Sequence, residues 1–396
     1  MTRVSQKATA RTVLLAGGLC LLLAAGRPAL GQSLPQTPVV VISPTVIGKS
    51  EAGYRNPALG VAPDGAVTVV AELGPANERQ LAVADLSATG WTDATLLDFT
   101  GPGDCCNPSL AYDSSGTLHL AWSERTTGAY AIRYARRTAG QWHDERVLSV
   151  TPQLDCEFPQ LSSDRSGRLW AAWQAGRATR FSIYLAWRDG ETSFTVHDVT
   201  LDRGDHHNLY PQLFPDSPYP LVWYEETGTD FELRSIVPTE VGFETIAPLE
   251  SERLDANQMP WLFHAPSGML GGIWTDLVGD RVRVLVGFQS SSSRGEGFVA
   301  DLTETGDAAQ PWAVSLDEET AALAWTSRQI AGSAVFVGRV DGSSRVGPSL
   351  VLTVSPDAYL SGPRLAAGGS KLAHCVWFSD AARGGNGDLY YAALRF

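Results

Sequence analysis

The chain has 396 residues, 44% of them hydrophobic, which is enough apolar material to bury a large core. Its 43 acidic residues outnumber the 30 basic ones and give a formal net charge of −13 at pH 7. Because such a surface repels phosphate groups, the composition disfavours nucleic acids and anionic membrane surfaces as partners.

The N-terminal segment has the pattern of a secretory signal peptide. Basic residues precede an apolar run from Val13 to Ala25, and Ala29-Leu30-Gly31 supplies small residues before a cleavage site at Gln32. The apolar run is too short to span a bilayer, and no second one follows. We therefore expect a signal peptide at 1–31, a mature domain at 32–396, no membrane span, and a secreted or periplasmic protein.

The mature part repeats one phrase seven times: a proline opens an apolar stretch, a polar turn follows, and a second apolar stretch ends in tryptophan. The prolines are Pro57, Pro108, Pro159, Pro211, Pro260, Pro311 and Pro363. The first repeat has alanine in the tryptophan position, and the positions in chain order are Ala71, Trp122, Trp173, Trp223, Trp274, Trp325 and Trp377. A period near 50 residues built from short strands is typical of a β-propeller. The sequence predicts an all-β, seven-bladed propeller with blades starting near 57, 108, 159, 211, 260, 311 and 363.

The second repeat shows how one unit makes a four-stranded blade. Apolar alternation predicts strands at Pro108–Tyr112, Thr117–Trp122, Ala131–Ala135 and Trp142–Leu148. Between the first two, Asp113–Gly116 supplies the acceptor and the glycine of a tight turn. Since strands this short need neighbours on both faces, we expect the tryptophan to pack between blades.

The seventh repeat lacks a fourth strand. Its third strand, Asp388 to Leu394, is followed only by the last residues of the chain, whereas an apolar segment from Pro38 to Ile47 precedes the first repeat. We expect this segment (38–47) to supply the missing outer strand and to close the ring, because closure removes a free sheet edge.

The first repeat begins Tyr54-Arg55-Asn56-Pro57-Ala58-Leu59, which resembles the Tyr/Phe-Arg-Ile-Pro-Ala-Leu phrase that opens the first blade of sialidases. The segment from Tyr134 to Trp142 is similar to a degraded Asp-box hairpin of the bacterial neuraminidase repeat (BNR-type) proteins. The resemblance implies a sialidase-like propeller in which Arg55 binds a sugar carboxylate. The chain departs from active sialidases, however, because it has seven repeats rather than six and no intact Ser-x-Asp-x-Gly-x-x-Trp motif.

In a propeller, the loops before the first strands and after the second strands lie on one face around the axis, where ligands usually bind. The candidate ligand-binding residues on these loops are Arg55, Asn56, Asp104, Asn107, Glu124, Arg125, Asp155, Glu157, Asp205, Asn208, Asp255, Asn257, Asp276, Asp307 and Arg328. An aspartate recurs before six of the seven prolines. Either it caps backbone N–H groups, or the carboxylates form a ring that binds a cation or sugar hydroxyls.

The same face carries weak candidates for catalysis, namely His206, His207, Tyr210 and Glu225. A histidine and a tyrosine would act as base and acid in a β-eliminating lyase. The alternative is that neighbouring histidines point apart and one merely hydrogen-bonds to the backbone.

Three cysteines occupy corresponding positions of adjacent repeats. Export favours a disulfide that joins Cys156 with Cys105 or Cys106, and a bridge between the last two is the alternative.

Three classes of function remain open. The first is a ligand-binding propeller, with a glycan or a protein as its ligand. The second is an enzyme, either a sialidase-like glycoside hydrolase or a polysaccharide lyase. The third is an envelope or extracellular scaffold for protein–protein interaction. We expect a monomer with no cofactor, apart from a cation that the axial carboxylates could bind, and no metal site defined by sequence spacing.

Overall fold

The computed structural model of the protein describes residues 37–396 apart from 101–102, 178–179, 191–192, 202–205, 240–241, 246–257, 265–269, 289–298, 303–305, 330–331, 342–344, 370 and 381–386. The predicted signal peptide and three candidate residues, Asp205, Asp255 and Asn257, lie outside the described residues. None of the described residues forms a helix with the length and apolar character that a membrane crossing requires.

The described residues form seven antiparallel sheets, which confirms the predicted seven-bladed all-β propeller. The strands of blades one to four are β2 (Tyr54–Val61), β3 (Val67–Leu73), β4 (Gln80–Ser87), β5 (Gly90–Trp91) and β6 (Thr95–Leu96); β7 (Asp104–Tyr112), β8 (Leu118–Arg125), β9 (Ala131–Thr138) and β10 (Gln141–Val147); β11 (Asp155–Ser163), β12 (Leu169–Arg177), β13 (Arg180–Arg188) and β14 (Thr195–Asp198); β15 (Asn208–Leu213), β16 (Leu221–Thr227), β17 (Asp230–Thr239) and β18 (Gly242–Thr245).

The remaining three blades are β19 (Trp261–His264), β20 (Leu270–Val278), β21 (Arg281–Phe288) and β22 (Val299–Asp301); β23 (Asp307–Ser315), β24 (Thr320–Gln329), β25 (Gly332–Asp341) and β26 (Leu350–Ser355); β27 (Leu360–Ala367), β28 (Leu372–Ser379) and β29 (Leu389–Arg395), with β1 (Val39–Gly48) as outer strand.

The ring closes where the sequence predicts. β1 pairs antiparallel with β29, with Val40 opposite Leu394 and Thr45 opposite Tyr391. Near the end of β1, the buried Ile47 packs in one core with Tyr54 of the first blade and Tyr391 of the last. The N-terminal strand therefore completes the seventh blade and also joins it to the first.

Six of the seven repeat prolines lie in a β-bulge opposite the tryptophan position, whereas Pro260 directly precedes β19. In the second blade the register shifts between Cys106 and Ser109, so that Asn107 and Pro108 together face Trp122. The same shift occurs in the first, third, fourth, sixth and seventh blades. A bulge tolerates proline because a bulged residue does not donate to the sheet ladder. The bulge thus explains why proline and tryptophan recur together.

The tryptophans pack between blades, as predicted. Trp122, Trp173, Trp223, Trp325 and Trp377 are among the largest fully buried side chains. Each shares a core with residues of the preceding blade, such as Leu81 for Trp122. In three blades the indole also stacks on an aromatic ring of the third strand, with interplanar angles of 8° to 9°.

The strands extend further towards the axial face than the sequence indicates. The residues predicted as loops before the prolines are strand in most blades, for example Asp104 to Asn107 in β7 and Asp155 to Glu157 in β11. The predicted loop residues Glu124 and Arg125 belong to β8. The reason is the bulge: pairing resumes on the far side of the proline, so the proline does not begin the strand.

Two histidines at the same position of the second and seventh blades are buried against tyrosines. His119 Nδ1 lies 2.8 Å from the Tyr134 hydroxyl, and His374 Nδ1 lies 2.5 Å from the Tyr391 hydroxyl. Burial lowers the pKa of both imidazoles to about 4. Both side chains are therefore neutral in the folded protein near pH 7.

Lowering the pH from 7 to 4.5 is expected to destabilise the propeller by about 2 kcal/mol for each of these histidines. In the unfolded chain an imidazole binds a proton below pH ~6.5, whereas in the folded protein His119 and His374 do so only below about 4. Their contribution is therefore complete above pH ~6.5 and is lost as the pH falls towards 4. Urea unfolding at the two pH values measures it. The double variant His119→Gln/His374→Gln should show a smaller loss, and an equal loss would contradict the assignment.

Candidate functional site

The first strands of the blades surround an axial cavity of about 700 Å³. Its lining includes the residue before every repeat proline, a set called here the pre-proline ring: Asn56, Asn107, Phe158, Tyr210, Met259, Gln310 and Gly362. The six that are not glycine have φ between 40° and 53°, and Gly362 has φ 60°. This backbone conformation, which lies in a bulge in six blades, thus presents one side chain, or a glycine, from each blade to the cavity.

Bulky residues at positive φ carry backbone strain, on the order of 1–3 kcal/mol each, which the surroundings must offset. Side-chain oxygens of preceding blades do so by accepting hydrogen bonds from pre-proline N–H groups. The bonds are Asn107 N to Glu72 Oε1 at 2.8 Å, Tyr210 N to Gln174 Oε1 at 3.0 Å, and Gly362 N to Gln310 Oε1 at 2.7 Å. Each bond links two blades, so the cavity wall and the ring stabilise one another.

The residues after the prolines form a second ring in the cavity wall, called here the post-proline ring: Ala58, Ser109, Gln160, Gln212, Trp261, Trp312 and Arg364. The first four are small or carry amides, whereas the last three have planar side chains. Trp261 and Trp312 stack with their ring centroids 3.5 Å apart, and the Arg364 guanidinium carbon lies 4.1 Å from the Trp312 centroid. One side of the cavity is therefore a stacked planar wall, and the other is polar.

The chemistry of this lining suits a ligand with many hydroxyl groups and some apolar faces. Amides of Asn56, Asn107, Gln160, Gln258 and Gln310 offer both donors and acceptors, and aromatic rings offer flat apolar surfaces. Among the described residues that line the cavity, none is an aspartate, a glutamate or a histidine.

Next to this cavity, an ion-pair network joins the first and second blades around the buried Asp104. Its Oδ1 accepts hydrogen bonds from Arg79 N at 3.1 Å and Arg79 Nε at 2.8 Å, and its Oδ2 accepts one from Nη2 at 2.7 Å. The Tyr130 hydroxyl donates a further bond to the same carboxylate. Arg79 Nη1 also donates to Glu72 at 3.1 Å, and the Arg125 guanidinium covers the Tyr130 ring at 4.6 Å.

Burial would raise the pKa of Asp104, but the Arg79 guanidinium and the Tyr130 hydroxyl hold it well below its usual range. Burial and the neighbouring carboxylate raise the pKa of Tyr130. The pKa of half-buried Glu157 is also raised, by burial first and by Asp155 second, against an opposing effect of Arg79. Asp104 is thus ionised near pH 7, and its charge is used within the ion-pair network.

The recurring aspartate acts as a backbone cap wherever hydrogen bonds to it are described. Asp104, Asp155 and Asp307 each accept a bond from a backbone N–H 25 residues earlier, at the start of the third strand of the preceding blade. The distances are 3.1, 3.0 and 3.2 Å. Of the two interpretations that the sequence leaves open, these bonds support the structural one. No group of three metal-binding side chains occurs among the residues that the structure describes.

The predicted catalytic candidates occupy different places. Tyr210 lines the cavity and is 40% exposed. His206 Nδ1 lies 3.2 Å from the Glu226 carbonyl, while His207 stacks on Phe181 and lies 3.4 Å from the Glu226 carboxylate. The fourth candidate, the buried Glu225, forms an ion pair with Arg234. Neither histidine belongs to the cavity lining, so the structure does not bring the hypothetical acid and base together there.

The other predicted ligand-binding residues mostly have internal partners. Asn208 accepts a bond from Trp223 Nε1 at 2.9 Å, and Glu124 accepts one from Trp122 Nε1 at 3.0 Å. Asp276 accepts a bond from the next N–H, at Leu277. Two arginines lie apart from the cavity lining: the backbone of Arg55 lies opposite that of Glu72 in the β2–β3 register, and the Arg328 guanidinium covers the Tyr359 ring. Of the candidates that the structure describes, Asn56, Asn107 and Tyr210 are cavity-lining residues and the others are not.

The described cysteines are free thiols, and the expected bridge from Cys156 to Cys105 or Cys106 is not formed in this structure. The physical reason is burial in separate cores. Cys105 packs with Trp122 between the first and second blades, whereas Cys156 packs with Trp173 between the second and third. Burial raises the pKa of all three thiols.

No protein-family model matches the chain, and no curated protein has a significantly similar sequence. Among solved structures, a protein of unknown function from Dyadobacter fermentans DSM 18053 is 12% identical over 91% of this chain and 99% of that one, with a TM-score of 0.51. A polysaccharide lyase of family PL25, an ulvan lyase solved with bound GlcA(1-4)Rha3S, is 10% identical over 87% of this chain and 94% of that one, with a TM-score of 0.57.

The NanB sialidase of Streptococcus pneumoniae is 12% identical over 90% of this chain and 70% of that one, with a TM-score of 0.46. At these identities the likeness is one of fold alone. The predicted propeller is confirmed as a fold, and the activity must be argued from the cavity.

Sequence reasoning missed the two arginines that matter most to the site. Arg79 precedes the third strand of its blade and belongs to no motif, although Tyr130 occupies the same position one repeat later. Arg364 follows the last repeat proline. Aligning the residues after the prolines would have placed it beside Trp261 and Trp312 in the repeat.

Proposed function

We propose that this protein is an exported β-propeller that binds a glycan in its axial cavity. The observation that carries the proposal is the lining of the cavity, in which amides and planar aromatic side chains face a space of about 700 Å³. That volume lies within the range of small-molecule sites, ~300–1,000 Å³. Export is inferred from the N-terminal signal pattern, and the expected monomer has the glycan as its partner.

Binding is favoured over hydrolysis by what the lining contains. Glycoside hydrolases of the common type need two carboxylates that flank the scissile bond. The described residues lining the cavity include no carboxylate and no imidazole. The ulvan lyase and the sialidase with the same general fold act on glycans, which adds only an analogy of fold.

Replacing Tyr210 with asparagine is expected to weaken glycan binding by about tenfold or more, because an aromatic contact surface is lost. Asparagine tolerates the positive φ of this position, so the bulge should persist. A glycan array with the purified mature protein first identifies a ligand, and calorimetric titration then compares the two proteins.

The matched control is Tyr359→Asn, which makes the same change outside the cavity lining and should leave affinity unchanged. Absence of any bound glycan, or equal affinity in wild type and Tyr210→Asn, would overturn the proposal. Turnover of an arrayed or fluorogenic glycoside would instead assign an enzyme.

A further inference from the structure

Arg364 is a cation in the wall of the axial cavity. It follows Pro363 in β27, the innermost strand of the seventh blade, and is one of the cavity-lining residues. Its guanidinium is placed against the face of Trp312, at 4.1 Å from the ring centroid, and Nη1 donates to the Pro363 carbonyl at 3.2 Å. Trp312 is itself fixed by stacking on Trp261 and by donating to the Leu365 carbonyl at 3.3 Å. These contacts of Arg364 and of Trp312 therefore fix the position of the guanidinium in the cavity wall.

This cation has no acidic partner within the described part of the chain. The carboxylate that influences it electrostatically is Glu72, but Glu72 already accepts hydrogen bonds from Asn56, Asn107 and Arg79. Burial lowers the pKa of Arg364 to about 10, so the guanidinium remains charged near pH 7. Arg364 is half-buried. A charge withdrawn from water in this way without a partner is costly, and proteins seldom keep one without a use.

Two other partly buried arginines of the same propeller, Arg79 and Arg137, are neutralised. Arg79 binds Asp104 through two side-chain nitrogens, and Arg137 binds Asp85 through two as well. The chain has more acidic than basic residues, so carboxylates for pairing are abundant. Arg364 nevertheless faces the cavity without a carboxylate partner. This arrangement indicates that a ligand supplies the counter-ion.

The guanidinium presents donors in a planar fork, which matches the two oxygens of a carboxylate or a sulfate group. The Pro363 carbonyl accepts from one nitrogen and the Trp312 ring covers one face, and the remaining N–H groups are available to the cavity. Stacking also restricts the side chain before binding, which lowers the entropic cost of ligand capture.

We propose that Arg364 recognises an anionic group, a carboxylate or a sulfate ester, on the saccharide that occupies the axial cavity. This inference rests on the proposed glycan-binding function and specifies the class of saccharide. The stacked Trp261–Trp312 wall holds the sugar rings beside the charge, and the amide side of the cavity takes the hydroxyl groups.

The test compares matched pairs of saccharides that differ only in charge: a galacturonate oligosaccharide with its methyl ester, and a sulfated galactan oligosaccharide with its desulfated form. Titration calorimetry at low salt is expected to show that the wild type prefers at least one acidic form by about 10- to 100-fold. Arg364→Gln should abolish that preference, so that the affinities of this variant for the acidic and the neutral form become equal. Arg364→Lys should retain part of it, since it keeps the charge without the fork.

Arg328→Gln is the matched control, because it removes an exposed arginine outside the cavity lining and should change neither affinity. The melting temperature of Arg364→Gln should stay equal to that of the wild type or rise, since an unpaired charge is removed. Equal binding of acidic and neutral forms by the wild type, a preference that survives Arg364→Gln, or a fall in its melting temperature would overturn the proposal.

Failure of the proposed glycan-binding function would be seen as a different result from failure of the arginine proposal. If no saccharide binds at all, the glycan proposal fails, and inorganic sulfate then tests the arginine alone. Sulfate that raises the melting temperature of the wild type but not of Arg364→Gln supports an anion site. Equal responses of the two proteins would remove it.

Discussion

Replacing Asp104 with alanine is expected to destabilise the propeller by about 3–5 kcal/mol. The carboxylate is 1% exposed and receives bonds from the backbone and side chain of Arg79 and from the Tyr130 hydroxyl. Removing it leaves the half-buried Arg79 guanidinium with Glu72 as its one acidic partner among the described residues, and it leaves the Tyr130 hydroxyl without its acceptor. Urea unfolding followed by tryptophan fluorescence measures the change in free energy.

Asp307→Ala is a control at the same position of another repeat. Asp307 is exposed, and the bond described for it is a single one from Val282 N at 3.2 Å. Its loss should cost about 1 kcal/mol or less. Equal costs for the two variants would mean that the Arg79 network adds nothing to the backbone cap.

Removing β1 is expected to prevent the ring from persisting as a stable monomer. β1 supplies the outer strand of the seventh blade, and Ile47 links that blade to Tyr54 of the first. Loss of several inter-strand hydrogen bonds, each ~0.5–1.5 kcal/mol, and of this contact approaches the whole stability of a typical domain, ~5–15 kcal/mol. The exposed edge of β29 would also invite association.

The experiment compares a chain that begins at Ser50 with one that begins at Thr37 and keeps β1. Size-exclusion chromatography and near-ultraviolet circular dichroism report assembly and packing. A peptide with the sequence Val39–Gly48, added in trans, should restore the native spectrum of the shorter chain. A monomeric chain that unfolds cooperatively without β1 would show that closure is dispensable.

The fold was predictable because its main signal is repeated seven times. Proline and tryptophan face each other across the first-strand bulges of the second, third, fourth, sixth and seventh blades, so the same packing requirement selects the same two residues in successive blades. The closing strand was predictable because the last repeat lacks a partner that only the segment before the first repeat could supply.

The cavity was predictable only in part. A bulge inserts one residue and so interrupts the alternation of apolar and polar residues along a strand. The sequence therefore predicts loops before the prolines and places carboxylates such as Asp155 in them. Pairing shows that Asp155 belongs to β11 and caps the Tyr130 N–H. Whether an arginine has an acidic partner depends on contacts between different blades, as with Arg79 and Asp104. The spacing of residues in the sequence does not predict such contacts.

The bulged backbone also makes this protein a candidate scaffold for engineered receptors. The pre-proline side chains lie outside the strand ladder, so exchanging them alters what the cavity presents without changing how the strands pair. A library that varies Asn56, Asn107, Phe158, Tyr210 and Met259, and omits β-branched residues because of their positive φ, would vary the chemistry of the lining within one constant framework.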